Sequence, residues 1–270
     1  MIRGKNRKLE CYAMNHDIQK ASIWKRIAAG ILDLILVVIL ATGFGAAISA
    51  ITGYDNWNSK LDARYQYYIE KYSLIYEEDR QGFEALPEAE QKAYMERRAA
   101  ANQESMLDQE AGKASAMLKN LVLVIVTGGI LLAILVVEFI VPLIFKNGQT
   151  LGKKVFSLCL VRVDGVQLNG YQHFIRAILG KYAVETMIPV YVGIMVYMGQ
   201  PAGLLLIAAA IMLLAQCVIF VVNRNHSLIH DLMAGTVVVD YGSQKIFKTT
   251  DDLIAYQMKL AADRAKRQDY

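Results

Sequence analysis

Residues 27–51 read IAAGILDLILVVILATGFGAAISAI, an apolar run broken by one ionisable side chain, Asp33. A helix of that length crosses the roughly 30 Å hydrocarbon core of a bilayer. A cleaved signal peptide shares the basic prelude, but this run is too long for its apolar region and carries Asp33 inside it, so a retained helix is expected. Three further runs, 119–145, 174–198 and 202–222, have the same character, and Gly199, Gln200 and Pro201 form a tight hairpin between the last two. Together they leave no stretch of the 270 residues for a large soluble core. The expected fold is therefore an all-α membrane protein of four transmembrane helices.

Composition agrees. Hydrophobic residues make up 55 % and mean hydropathy is +0.29, yet charged residues still reach 20 %, as expected of apolar blocks separated by charged segments. A net charge of +4 is too mild for a nucleic-acid partner. Three scattered cysteines, Cys11, Cys159 and Cys217, build neither a disulfide framework nor a thiolate zinc site.

Orientation follows from the short basic segments. Residues 1–26 hold Arg3, Lys5, Arg7, Lys8, Lys20, Lys25 and Arg26 against two acids. The 146–173 connector and the start of the third span hold Lys146, Lys153, Lys154, Arg162, Arg176 and Lys181 against Asp164. Segment 52–118 has eight basic and thirteen acidic residues. Both termini and the connector are thus expected in the cytoplasm, and 52–118 as an extracytoplasmic helical insertion. In it Leu61, Tyr65, Tyr68, Tyr72 and Tyr76 recur at helical spacing. This stripe either binds a partner or packs on a second helix that starts after Pro87 and meets no breaker before Gly112. Within the spans, Gly43 with Ala47 and Gly129 with Ala133 are spaced to let helix backbones approach.

Charges at bilayer depth need a reason, since each costs about 2.5–3.5 kcal/mol on insertion scales. Asp33 lies seven residues past Arg26, on the same helix face; Glu138 precedes Pro142; Arg176, Lys181 and Glu185 descend the third span, with Pro189 one turn on. Gathered together, they form either a static ion-pair network or the titrating site of a cation- or proton-coupled carrier. In the connector, Gly148 and Gly152 are four apart and no Ser or Thr follows Lys153, which excludes a phosphate-binding loop. Val155–Val163 reads as a strand ending at the turn Asp164–Gly165. Within the final segment, 223–270, a short helix is expected over 227–234, a strand over Thr236–Asp240 that pairs with the first, and a helix over 250–267. His226 and His230 beside Asp231 lack a further metal ligand, so no metal or cofactor is expected.

Three stretches together, WKRIAAGILDLI (24–35), GQTLGKKVFSLCLVRVDG (148–165) and HDLMAGTVVV (230–239), resemble the RDD family of bacterial membrane proteins. The likeness covers 20–51 and 120–241; the 52–118 insertion departs from the compact family pattern. The one Arg and two Asp of the family name fall on Arg26, Asp33 and Asp231. The resemblance implies a multi-pass protein of the bacterial plasma membrane, transport-related, in a family for which sodium–proton exchange has been proposed. It also raises Asp33 and Asp231 in importance. Four helices are few for a carrier, so a homo-oligomer in the lipid bilayer is expected. The competing reading is a non-enzymatic scaffold that offers the outer hairpin to a protein partner. No Ser–His, Cys–His or paired-carboxylate signature indicates an enzyme.

Overall fold

A computed structural model describes residues 19–74, 80–145, 147–223 and 225–268. Arg3, Lys5, Arg7, Lys8, Cys11, Tyr76 and Lys146 lie outside the described residues. Among the described residues four helices are long and apolar enough to cross a membrane: Ile23–Thr52, Gln109–Phe145, Gly170–Tyr197 and Gly203–Val222. The first, second and third begin four to ten residues before the apolar runs do, because polar flanks continue the helix where no breaker intervenes. The chain divides into two compact units, Gly43–Gly129 and the remainder.

In the larger unit two spans are locally wound with i→i+5 hydrogen bonds, over Leu135–Ile140 in the second and Ile175–Thr186 in the third. Each such stretch precedes a proline, Pro142 or Pro189. Proline has no N–H, so the carbonyl four residues earlier loses its α-helical donor. Those residues are Glu138 and Glu185.

Beside these helices lies a two-stranded antiparallel sheet, β1 (Leu158–Arg162) and β2 (Thr236–Asp240), in the register Leu158↔Asp240 to Arg162↔Thr236. Both strands are buried over their first four residues because both faces are covered. Leu158, Leu160 and Val238 meet Ala21 and Ala29 on one face, while Cys159, Val161, Val237 and Val239 gather with Ile246 on the other. Cys159 is inert there, since burial pushes its thiol up to about 12. The expected strand over 155–163 is too long at its start. Leu151–Val155 is a helical turn capped by Thr150, whose hydroxyl accepts the Lys153 N–H, and the strand opens only after Ser157. The last helix, Thr250–Gln268, anchors through Leu253 and Tyr256 on Val166 and Phe247.

In the smaller unit the helices Tyr54–Lys71, Arg80–Glu84 and Glu88–Leu107 enclose Leu74, Phe83, Tyr94 and Ala101. The helical stripe splits. Tyr68 is buried and donates its hydroxyl to Asp108, Tyr72 donates to Glu104, and Tyr65 stays exposed. The helix expected to run without a breaker from Pro87 to Gly112 is interrupted earlier, at Asp108, whose carboxylate accepts the N–H groups of Glu110 and Ala111 and so caps the next helix. Gly129 and Ala133 are both buried, whereas close helix approach does not use Gly43, which has nothing near its Cβ direction. It uses Gly45 against Ile125 and Gly128 against Ile48.

Candidate functional site: a buried charge network

The larger unit gathers four cations and four carboxylates. They are Arg26, Lys153, Arg176 and Lys181, against Asp33, Glu138, Glu185 and Asp231. Five separate elements supply them, so the network exists only in the folded chain.

Asp33, on the first span, is 2 % exposed. Its partners come from the turn 150–153: the Thr150 hydroxyl donates at 2.5 Å, the Gly152 N–H at 2.8 Å, and the Lys153 ammonium lies at 3.5 Å. Gly152 is required for this approach. A Cβ there would lie 2.8 Å from the Asp33 carboxylate oxygen and press on the Ala29 carbonyl. The expectation that Arg26 shares a helix face with Asp33 holds only as geometry. Arg26 instead donates to the Asn225 carbonyl at 3.0 Å and faces Asp231 at 3.7 Å.

Glu138 sits between the second and third spans. Lys181 and Arg176 both bond to it, the latter at 3.2 Å, and Lys153 lies at 3.8 Å. Lys181, four residues before Glu185, therefore turns to Glu138. Glu185 accepts from the His230 backbone N–H at 3.0 Å and meets its Nδ1 at 2.8 Å. The short helix Ile229–Ala234 reaches the third span at Gly180, where a Cβ would lie 2.5 Å from the His230 Cβ.

Arg176 is the hub. Its Nε donates to Asp231 at 2.9 Å, its Nη1 to Glu138, and its Nη2 meets His230 Nε2 at 3.0 Å. A guanidinium only donates, so that imidazole nitrogen accepts and Nδ1 carries the proton towards Glu185. His230 is thus neutral, consistent with burial and the Arg176 charge pushing its pKa down. Burial works against the Asp231 carboxylate, but the Arg176 and Arg26 guanidiniums outweigh it and hold the carboxyl well below the usual range. With His230 neutral, the four positive and four negative charges cancel.

A cavity of about 210 Å³ opens onto this network, with Arg26, Asp33, Lys153, Arg176, Lys181, His230 and Asp231 in its wall beside apolar Ile27, Phe220 and Leu228. The RDD family model matches residues 20–235, which contain every member of the network. The chain belongs to the RDD family. No curated protein and no solved structure matches it. In this RDD-family protein Arg26 and Asp231 face one another across the cavity wall, while Asp33 is gripped by its own separate turn.

All seven charged residues expected from the sequence, Arg26, Asp33, Glu138, Arg176, Lys181, Glu185 and Asp231, lie in this one network. Sequence reasoning missed Thr150, Gly152, Lys153 and His230 as members. Lys153 entered only the charge count, and His230 only as a discarded metal ligand. One available signal was the repeated Glu-x-x-x-Pro of Glu138–Pro142 and Glu185–Pro189, which marks both regions of altered winding. His226 stands apart, with its Nδ1 at 2.9 Å from the Phe220 carbonyl. Among the described residues no three His, Cys, Asp or Glu side chains gather as a metal-binding group.

Proposed function

We propose that this integral membrane protein is a carrier that exchanges a monovalent cation for a proton and is not an enzyme. In this reading it lies in a bacterial plasma membrane as a homo-oligomer, with both termini cytoplasmic and the 52–118 insertion outside. The observation that carries the reading is a cavity that opens onto a charge-balanced network, with its four cations and the carboxylates of Asp33 and Asp231 in the wall and Glu138 and Glu185 behind it. Such a site admits a cation only if it loses a positive charge at the same time, because an uncompensated charge away from water costs several kcal/mol. Coupling to proton release meets that requirement.

The test is pH-gradient dissipation in sealed proteoliposomes on adding sodium, potassium or lithium, with Asp33→Asn and Glu185→Gln beside wild type. Cation-dependent proton flux, lost in either folded variant, is expected. Wild-type flux no greater than that of empty liposomes for every cation overturns the reading.

The second reading is a scaffold that presents the insertion to a protein partner. The separate core of Leu74, Tyr94 and Ala101 favours it. Deleting residues 55–115 abolishes a scaffold function and spares a carrier.

A further inference from the structure

The cations of the network are held with unequal firmness. Arg176 has three close partners, and Lys181 bonds directly to Glu138. Arg26 donates to a backbone carbonyl and lies 5.8 Å from the Phe220 ring centroid. Lys153 is different. Its closest contact is uncharged, the Thr150 hydroxyl oxygen at 3.1 Å, while the carboxylates of Asp33 and Glu138 stand off at 3.5 and 3.8 Å. It is carried on a five-residue helical turn and not on a span, yet it reaches between carboxylates of two spans and faces the cavity. Two of the other cations are arginines, which do not give up a proton in proteins.

We propose that Lys153 is the proton carrier of the exchange: its ammonium releases a proton as the monovalent cation enters the cavity, and the cation takes over its positive charge. In this step one N–H bond of Lys153 breaks, its electron pair stays on the nitrogen, and the proton leaves to water. Nothing is oxidised or reduced. The network is neutral before and after, so the exchange is one cation for one proton and electroneutral. The inference rests on the exchange reading above and names the group that performs it.

The surroundings of Lys153 suit this role. Asp33 of the first span and Glu138 of the second favour its charge; Arg176 and Lys181 of the third, which share Glu138 with it, oppose it; His173 of the third is near enough to feel its charge, and Thr150 is on its own turn. Burial comes first among the influences, and together with Arg176 and Lys181 it outweighs the carboxylates and pushes the ammonium down to about 8. Below that pH a cation must displace a proton, so its apparent affinity weakens about tenfold per pH unit. Above it the affinity is flat.

The experiment uses the full chain in proteoliposomes, with sodium, lithium and potassium as probes and both proton flux and radioactive sodium uptake followed. Wild type is compared with Lys153→Arg, which keeps the charge but cannot release it, and Lys153→Met, which has no proton to give. Proton flux is expected to vanish in Lys153→Arg. Sodium uptake in Lys153→Met is expected to persist without proton movement and with no pH dependence. Wild-type exchange is expected to be unaffected, within twofold, by a potassium–valinomycin clamp on the membrane potential. Should neither variant fold, the wild-type affinity slope and the clamp decide alone. Proton flux in Lys153→Arg within twofold of wild type, proton coupling in Lys153→Met, a flat wild-type affinity between pH 6 and 8, or a strong response to the clamp each overturns the assignment of Lys153 while leaving exchange intact. Absence of wild-type flux for every cation overturns exchange itself, and the assignment with it.

Discussion

The same chemical pair occurs in both units of the molecule with opposite consequences. In the insertion, Asp108 with Arg64 and Glu104 with Lys71 are carboxylate–cation pairs in which each cation stays about two-fifths exposed. Solvent reaches both cations and screens the pairs, although the Asp108 carboxylate itself is buried, and they hold helix ends together. In the larger unit, Asp33, Glu138 and Asp231 meet Lys153 and Arg176 with every side chain under a tenth exposed. There the pairing is obligatory, because any member left alone is a charge without water. Pairing alone is therefore no sign of function. Burial across five elements, around a cavity, is what needs an explanation beyond stability.

The sharpest way to break the comparison is to remove the hub. Arg176→Met leaves Glu138 and Asp231 each short of a partner, and truncating one side of a buried network costs about 3–5 kcal/mol. Arg64→Met removes an arginine of the same type from the exposed pair and is expected to shift unfolding far less. Denaturant titration of both variants in micelles measures the difference. Equal effects would mean that the two regions share one energetic regime.

Glycines sharpen the contrast next. Gly180→Ala drives a Cβ into His230 across the third span, and overpacking of that kind costs about 1–3 kcal/mol. Gly112→Ala, in the helix Gln109–Phe145, meets nothing within 4 Å. There the substitution removes only the helix penalty of glycine and is expected to stabilise by about 0.5–1 kcal/mol. The two shifts should have opposite sign in the same thermal-unfolding assay.

These pairs of residues also show what was legible in the chain. The four spans were readable because hydropathy is a local property, summed along one helix. The charged residues were readable for the same reason: each is an exception within an apolar run. Their partners were not. Asp33 bonds to Thr150, 117 residues away, and Glu185 to His230, 45 residues away. On a single helix, Arg26 with Asp33 and Lys181 with Glu185 look like neighbours. Tertiary contacts direct them elsewhere. Gly152 and Gly180 are unremarkable as letters, and only the approach of Asp33 and His230 makes them necessary. The strand pairing was legible, since two apolar β-branched runs bounded by turns have few other uses in such short segments between and after the spans.

The smallest expected effect concerns acid. Burial raises the Asp108 carboxyl, but hydrogen bonds from Arg64, the Ala111 N–H and Tyr68 outweigh it and bring the group down to about 2, against an ordinary 3.8. A group whose folded value lies below its unfolded value contributes fully above the unfolded one and loses that contribution as pH falls through the folded one. The helix break at Asp108 should therefore persist to about pH 3 and loosen only towards pH 2. Carboxyl carbon resonances of labelled protein in micelles, with Asp108 assigned through Asp108→Asn, measure this directly. Arg64→Met should move the midpoint up towards the ordinary value, because the largest of the favourable bonds is then gone while the Ala111 and Tyr68 bonds remain. A wild-type midpoint already near 3.8 would mean that Arg64 is held by solvent and not by Asp108. The exposed pair would then serve neither as cap nor as clasp, and the contrast with the buried network would be wider still.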